Sequence, residues 1–135
     1  MQLEIASKDQ GQFFTPYSVC QLIAGIQMGD AAERLQETPY LTVYEPACGA
    51  GAMVIAAAQA LSAQGIDVAE QLHVTADDLS LTAVHMSYIQ FSLLGLPAVV
   101  NHRNTLTLEH FGTWPTAAHV LGLWGHRLRS TQPAT

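Results

Sequence analysis

Cations are scarce in this sequence. Only five of its 135 residues are Lys or Arg, against eleven Asp or Glu, for a formal net charge of −6. A protein that grips a phosphate backbone gains affinity by displacing counterions with its cations, so the composition argues against strong nucleic-acid binding by this chain alone. Arg127, Arg129 and His126 make one small basic cluster, which reads as part of a solvated tail over residues 126–135. Cysteine is scarce too: Cys20 and Cys48 cannot form a disulfide framework, and Cys20 falls inside an apolar helical pattern that suits a core position. The six histidines are scattered with no pair at metal-site spacing, which argues against a metal centre. No apolar run approaches the ~18 residues of a membrane span. The N-terminal MQLEIASKDQ lacks a basic region followed by an apolar stretch, so a secretory signal is not expected and a cytoplasmic protein is.

What is present is enough for one packed domain. Hydrophobic residues make up 49% and charged residues 12%, the reverse of a disordered composition. Residues 1–10 read as a loose lead-in. Thr15 and Pro16 then read as a helix start, with Thr15 as cap and Pro16 at the first helical position. Val19, Leu22, Ile23 and Ile26 follow at helical spacing and predict one apolar face. Gly29-Asp30 interrupts this helix, and a short helical piece over 31–36 follows. Leu41–Glu45 reads as a buried strand closed by Pro46. Met53 to Gln64 reads as an Ala-rich helix ending at Gly65, Leu72 to Asp77 as a second strand, and Leu81 to Leu94 as a helix stopped by Gly95 and Pro97. Ala98 to Asn101 reads as a third strand. Val120 to Trp124 is apolar and suits either a strand or a last helix. Alternating strands and helices of these lengths predict an α/β fold with a parallel sheet flanked by helices.

In such a sheet, ligands bind at the carboxyl ends of the strands. The first strand leaves through Glu45-Pro46-Ala47-Cys48-Gly49-Ala50-Gly51, where two glycines permit a tight turn and a close ligand approach. The dinucleotide fingerprint wants a third glycine, and Val54 stands in its place. An acid beside the turn suits a ligand with an ammonium group and no phosphate, such as S-adenosylmethionine. The second strand leaves through Asp77-Asp78-Leu79. A carboxylate there is placed for the two ribose hydroxyls, Asp78 better than Asp77, although either acid or Ser80 can instead cap the next helix. The third strand leaves through His102-Arg103-Asn104. The Asn104 amide can pair with an adenine edge or simply form a turn.

Four segments in order, Gly11-Gln12-Phe13-Phe14-Thr15-Pro16, Glu45 to Gly51, Asp78-Leu79-Ser80 and Asn104-Thr105-Leu106, resemble the N-6 adenine DNA methylase family. They are most similar to the modification subunits of type I restriction systems and relatives on mobile elements. The resemblance covers roughly residues 10–106, and its most specific part is the Phe-Phe-Thr-Pro segment ahead of the Glu-Pro-Ala-Cys-Gly turn. It implies a single S-adenosylmethionine-binding domain over residues 1–135, with an incomplete Rossmann-like methyltransferase fold. It implies that Phe13, Phe14, Thr15 and Pro16 lie over the methionine end of the cofactor, at least one of the two phenylalanines also serving the core. The turn with Glu45, Ala47, Gly49 and Gly51 would wrap the amino-acid portion. Asp78, followed by Leu79, would take the ribose, and Asn104 would reach the adenine amine.

Two departures from the family pattern stand out. Arg103 replaces the glycine that often precedes the position of Asn104. The family's catalytic loop, Asn or Asp followed by Pro-Pro and an aromatic residue, is absent from the sequence; the nearest segment is Thr113-Trp114-Pro115-Thr116, with one proline and no preceding acid or amide. That loop holds the target amine and stacks the extruded base, so catalysis by this chain alone is not expected. Residues 1–135 are not expected to include a target-recognition domain either. DNA would be reached weakly or through a partner, such as a methyltransferase or specificity chain. A non-enzymatic interaction or anti-restriction protein of the same fold is the alternative, and an unrelated nucleotide-binding oxidoreductase a third. With only three predicted strands, the free edge of the first is expected to be covered by residues 117–124 or by self-association.

Overall fold

The structure is a computed structural model and describes residues 16–131. The predicted lead-in and the Thr15 cap lie outside the described residues; Pro16, expected as the first helical residue, has an extended ψ of 141° and precedes the helix as its cap. Eleven elements follow one another among those described: α1 (Tyr17–Gln27), α2 (Ala31–Arg34), β1 (Leu41–Glu45), α3 (Ala52–Ala63), α4 (Val68–Gln71), β2 (Leu72–Asp78), α5 (Leu81–Leu93), β3 (Ala98–Arg103), β4 (His110–Pro115), α6 (Ala117–Leu121) and α7 (Trp124–Ser130). The sheet order is β1-β2-β3-β4. The first three strands are parallel, and β4 runs antiparallel to β3 after a bulge between His102 and Arg103. This is an open, mostly parallel α/β sheet flanked by helices, the incomplete Rossmann-like arrangement expected from the element order.

Side chains alternate between the two faces of each strand, and here the faces differ in chemistry. One carries Leu41, Val43, Leu72, Val74, Ala76, Ala98 and Val100, and packs with Val54 and Leu61 of α3 and Val84 and Phe91 of α5 into the main core. The other carries Tyr44, His73, Asp77, Asn101 and Thr113 in a polar row. Tyr44 donates to Asp77 Oδ2 at 2.6 Å, Asn101 Nδ2 to Asp77 Oδ1 at 2.8 Å, and Thr113 to Asn101 Oδ1 at 2.9 Å. Arg103 Nε lies 3.8 Å from the fully buried Asp77. Because the Tyr44 hydroxyl donates to Asp77, its pKa rises, with burial adding to the effect.

Three expectations are corrected. First, the buried side of α1 is Cys20 and Ala24, while Val19, Leu22 and Ile26 of the predicted face are exposed, Leu22 by 66% and Ile26 by 75%. The reason lies in the partner helix: α3 offers Ala56 and Ala57, and a small-residue seam lets the two backbones approach closely. Second, residues 126–130 are helical; His126 and Arg129 are exposed as expected, Arg127 is not, and residues 132–135 lie outside the described residues. Arg127 stacks 3.7 Å over the ring of the fully buried Trp124, donates to the Glu70 carbonyl at 2.7 Å and pairs with the Glu70 carboxylate. Arginine covers an aromatic face while its edge still forms hydrogen bonds. Third, Ala117–Trp124 does not add to the edge of β1, which among the described residues pairs only with β2. It folds onto the polar face instead. Thr116 caps α6 and ties it to β3 through the Ala98 amide, His119 bonds His73 at 2.8 Å, and Trp124 packs edge-on to Tyr40 and tilted on His73.

β4 and α4 have no counterpart in the sequence reading. His110–Pro115 holds a glycine and ends in proline, a composition that argues against a strand except at a sheet edge, where no further ladder bond is needed.

Buried His73 gives this corner a pH signature. Desolvation first, then the neighbouring His119 and Arg127, push its pKa down to about 4 from 6.5, and burial also lowers that of His119. The unfolded chain therefore takes up a proton on His73 near its ordinary value, whereas the folded chain resists until much lower pH. The stability contribution is fully present above pH 6.5 and is lost as pH falls from 6.5 towards about 4. Urea unfolding is expected to show a loss of roughly 2 kcal/mol over this window, after allowing for solvent at the ring edge. His73→Gln should flatten that dependence, and an equally steep curve in the variant would assign it elsewhere.

Candidate cofactor site at the strand ends

The site is built where β1 and β2 end. The turn after β1 is held from two sides. The Cys48 amide donates to the Asp77 carbonyl at 2.9 Å, and the Gly51 amide closes the turn on the Cys48 carbonyl at 2.8 Å. Gly49 and Gly51 have φ of 54° and 89°, in the left-handed region that favours glycine. A Cβ at Gly51 would come within 2.7 Å of Phe91 Cε1, so this position is closed to side chains twice over. From α5, Ser87 Oγ donates to the Gly49 carbonyl at 2.8 Å and Gln90 Nε2 to the Ala50 carbonyl at 3.2 Å.

Asp77 and Asp78, adjacent on β2, point to opposite faces. Asp77 belongs to the polar row. Asp78 shares a face with Glu45, whose backbone partner across the ladder is Ala76, two residues before it. Asp78 Oδ2 accepts from the Gly49 amide at 2.9 Å and Oδ1 from the Ser80 amide at 2.8 Å. Ser80 caps α5 through the Ala83 amide, so the capping choice left open by the sequence falls to Ser80. Asp78 thus ties the end of β2 to the turn after β1. Each carboxylate oxygen uses one backbone donor and keeps a further acceptor position.

The electrostatics follow from placing two acids around one turn. Glu45 receives one long backbone contact, 3.4 Å from the Ala47 amide, and pairs with no cation among the described residues. Burial raises its pKa, the Ala47 amide opposes this, and the charge of Asp78 raises it further. Burial likewise pushes the Cys48 thiol up to about 12, which keeps it a neutral packing group beside Ser87. Two acids beside one turn, with spare acceptor positions, suit a cationic, hydroxyl-bearing ligand and disfavour a pyrophosphate. Among the described residues, no group of three or more His, Cys, Asp or Glu is placed to hold a metal.

The other predicted site residues are dispersed. Phe13, Phe14 and Thr15 lie outside the described residues. Pro16 is exposed at the start of α1, which packs on α3, the helix leaving the glycine turn. Ala47 is exposed on the turn, and Leu79, 58% exposed, follows Asp78. Asn104 forms a turn: its Oδ1 accepts from the Leu106 and Thr107 amides at 3.0 and 3.2 Å. Arg103 turns to the polar face, towards Asp77, and does not share a face with Asp78. Sequence reasoning missed Ser87, Gln90 and Phe91, which carry the turn from beneath. Their helical spacing was visible, but nothing local ties them to a turn some forty residues earlier.

Among the described residues, no helix is long and apolar enough to cross a membrane. A search of curated proteins returned no match. A family model described as N-6 DNA Methylase matches residues 3–121, which includes the glycine turn, both acids and all four strands. The chain belongs to the N-6 DNA methylase family.

Proposed function

We propose that this chain binds S-adenosylmethionine and serves N-6 adenine methylation of DNA in a restriction-modification setting, together with another chain that completes the catalytic site. The observation that carries the reading is the pair Glu45 and Asp78, on one sheet face on either side of the Cys48–Gly51 turn. The bound cofactor would supply an activated methyl group. Glu45 would face its ammonium group, Asp78 would accept from the ribose hydroxyls through its free acceptor positions, and the glycines would let the backbone lie close. The segment nearest in composition to a catalytic loop is committed to structure. Trp114 packs edge-on to His85, the Pro115 carbonyl accepts from Tyr88, and Thr116 is buried as the cap of α6. This favours a chain that does not transfer the methyl group alone.

A non-enzymatic interaction protein of the same fold is the second reading. The edge of β1, which has no partner strand among the described residues, and the net charge of −6 favour it. In either case that edge is the proposed place for a partner methyltransferase chain, a specificity chain or a second copy.

Calorimetric titration with S-adenosylmethionine and with NAD tests the reading. Binding of the first and not the second is expected. Preferential NAD binding rejects it, and methyl transfer to adenine in DNA by the isolated chain overturns the non-catalytic part. Because Glu45 must be ionised to face a cation and its pKa is raised above 4.5, affinity should be full above that raised value. Affinity should fall as pH drops through it, with proton release on binding in that window. Glu45→Gln should weaken binding about tenfold near neutral pH and abolish the dependence.

A further inference from the structure

Residues at the end of β3 continue the same site sideways. His102 is the register partner of Asp78 across the β2–β3 ladder, so the two side chains are neighbours on one face. Its Nε2 lies 2.9 Å from the Leu79 carbonyl, and its ring lies 4.9 Å from that of Phe111 on β4, tilted by 42°. Phe111 is 54% exposed, so its ring is open to a ligand. Between His102 and Phe111, the hairpin holds Leu108 at a φ of 67°. Asn104 spends its Oδ1 on the hairpin's own amides.

The hydrogen bond fixes the tautomer of the imidazole. A carbonyl only accepts, so Nε2 carries the hydrogen, and in that tautomer Nδ1 is the acceptor. Nδ1 has no partner among the described residues. An acceptor matches an exocyclic amine and mismatches an exocyclic carbonyl.

We propose that His102, seated on Phe111 and pinned by the Leu79 carbonyl, is the residue that selects an amino-bearing purine beside Asp78, and that Asn104 is a turn residue without that role. The inference rests on the cofactor reading above and deepens it. A nucleoside whose ribose sits at Asp78 reaches its base across the next strand, where His102, Phe111 and Leu79 provide an apolar wall with one acceptor. Phe111 contributes stacking area and His102 contributes discrimination.

The test compares S-adenosylhomocysteine with S-inosylhomocysteine, which differ in the amine and the adjoining ring hydrogen, by calorimetry on the full chain. The unsubstituted protein should prefer the adenosyl compound about tenfold, the range of one well-placed hydrogen bond in a built site. His102→Phe keeps an aromatic ring without the acceptor. It should bind both compounds with the preference reduced to about twofold or less. Phe111→Ala should weaken both about equally, and Asn104→Ala should keep the preference, with circular dichroism confirming that each variant is folded. A preference that survives His102→Phe, or that disappears in Asn104→Ala, overturns the assignment while leaving cofactor binding intact. Equal binding of the two compounds by the unsubstituted chain does the same. Binding of neither overturns both this assignment and the cofactor reading.

Discussion

Trp124→Ala is expected to lower the stability of the chain by about 3–5 kcal/mol, the range for deleting a fully buried large aromatic side chain. For a chain of this size the melting temperature should fall on the order of 10–15 °C. The indole is fully buried where four parts of the chain meet. Tyr40 lies edge-on at 5.0 Å between ring centroids, His73 lies at 5.2 Å, Arg127 covers the ring, and Trp124 itself begins α7. Truncation leaves a cavity and strips the indole from Arg127, which then keeps its contacts to Glu70 and its place over the Tyr40 ring. The loss should concentrate on α6 and α7, because the cluster formed by the sheet with α3 and α5 does not include Trp124. Hydrogen exchange should therefore speed up first in residues 117–131. A change below about 1 kcal/mol in denaturant unfolding would mean that this segment is peripheral to the folded unit.

Gly51→Ala should cost roughly 2–4 kcal/mol and, on the proposed function, should remove S-adenosylmethionine binding as well. Two independent terms add. An alanine at a φ of 89° is strained by about 1–2 kcal/mol. The new methyl group also falls 2.7 Å from Phe91 Cε1, and Phe91 is itself fully buried, so relief requires the turn or α5 to shift. Movement of the turn breaks the bonds from Ser87 and Gln90 and pulls the Gly49 amide from Asp78. Gly65→Ala makes a good comparison. It has a similar φ of 80° but no atom within 4 Å of the new Cβ. It should show the backbone term alone, about half the loss, with binding unchanged. Equal losses at the two positions in thermal unfolding would remove the steric argument for the Gly51 contact.

The unequal legibility of this chain has a physical pattern. β1, β2, β3, α3 and α5 follow from local signals: apolar runs, helical spacing, and glycine or proline at their ends. The acids at the strand ends were legible for the same reason, because position at the end of a strand sets a residue's address in a parallel sheet. The face of α1 was not legible. Val19, Leu22 and Ile26 have the stronger hydrophobic pattern, yet Cys20 and Ala24 are buried, because an alanine-rich partner rewards closeness of approach over side-chain volume. β4 was hidden because its partner, β3, supplies the pairing that its own residues do not favour. The basic residues near the C-terminus read as solvated until a buried tryptophan gave Arg127 a surface to lie on.

The sequence alone determined the order of strands and helices, the glycine turn and the acids that flank it, since each rests on interactions between residues a few positions apart. Tertiary structure decided that Asp77 joins a polar row with Tyr44 and Asn101, what supports the turn from α5, and where residues 117–131 settle. Those outcomes depend on surfaces that meet only when segments tens of residues apart pack together, and no local pattern encodes the shape of a partner.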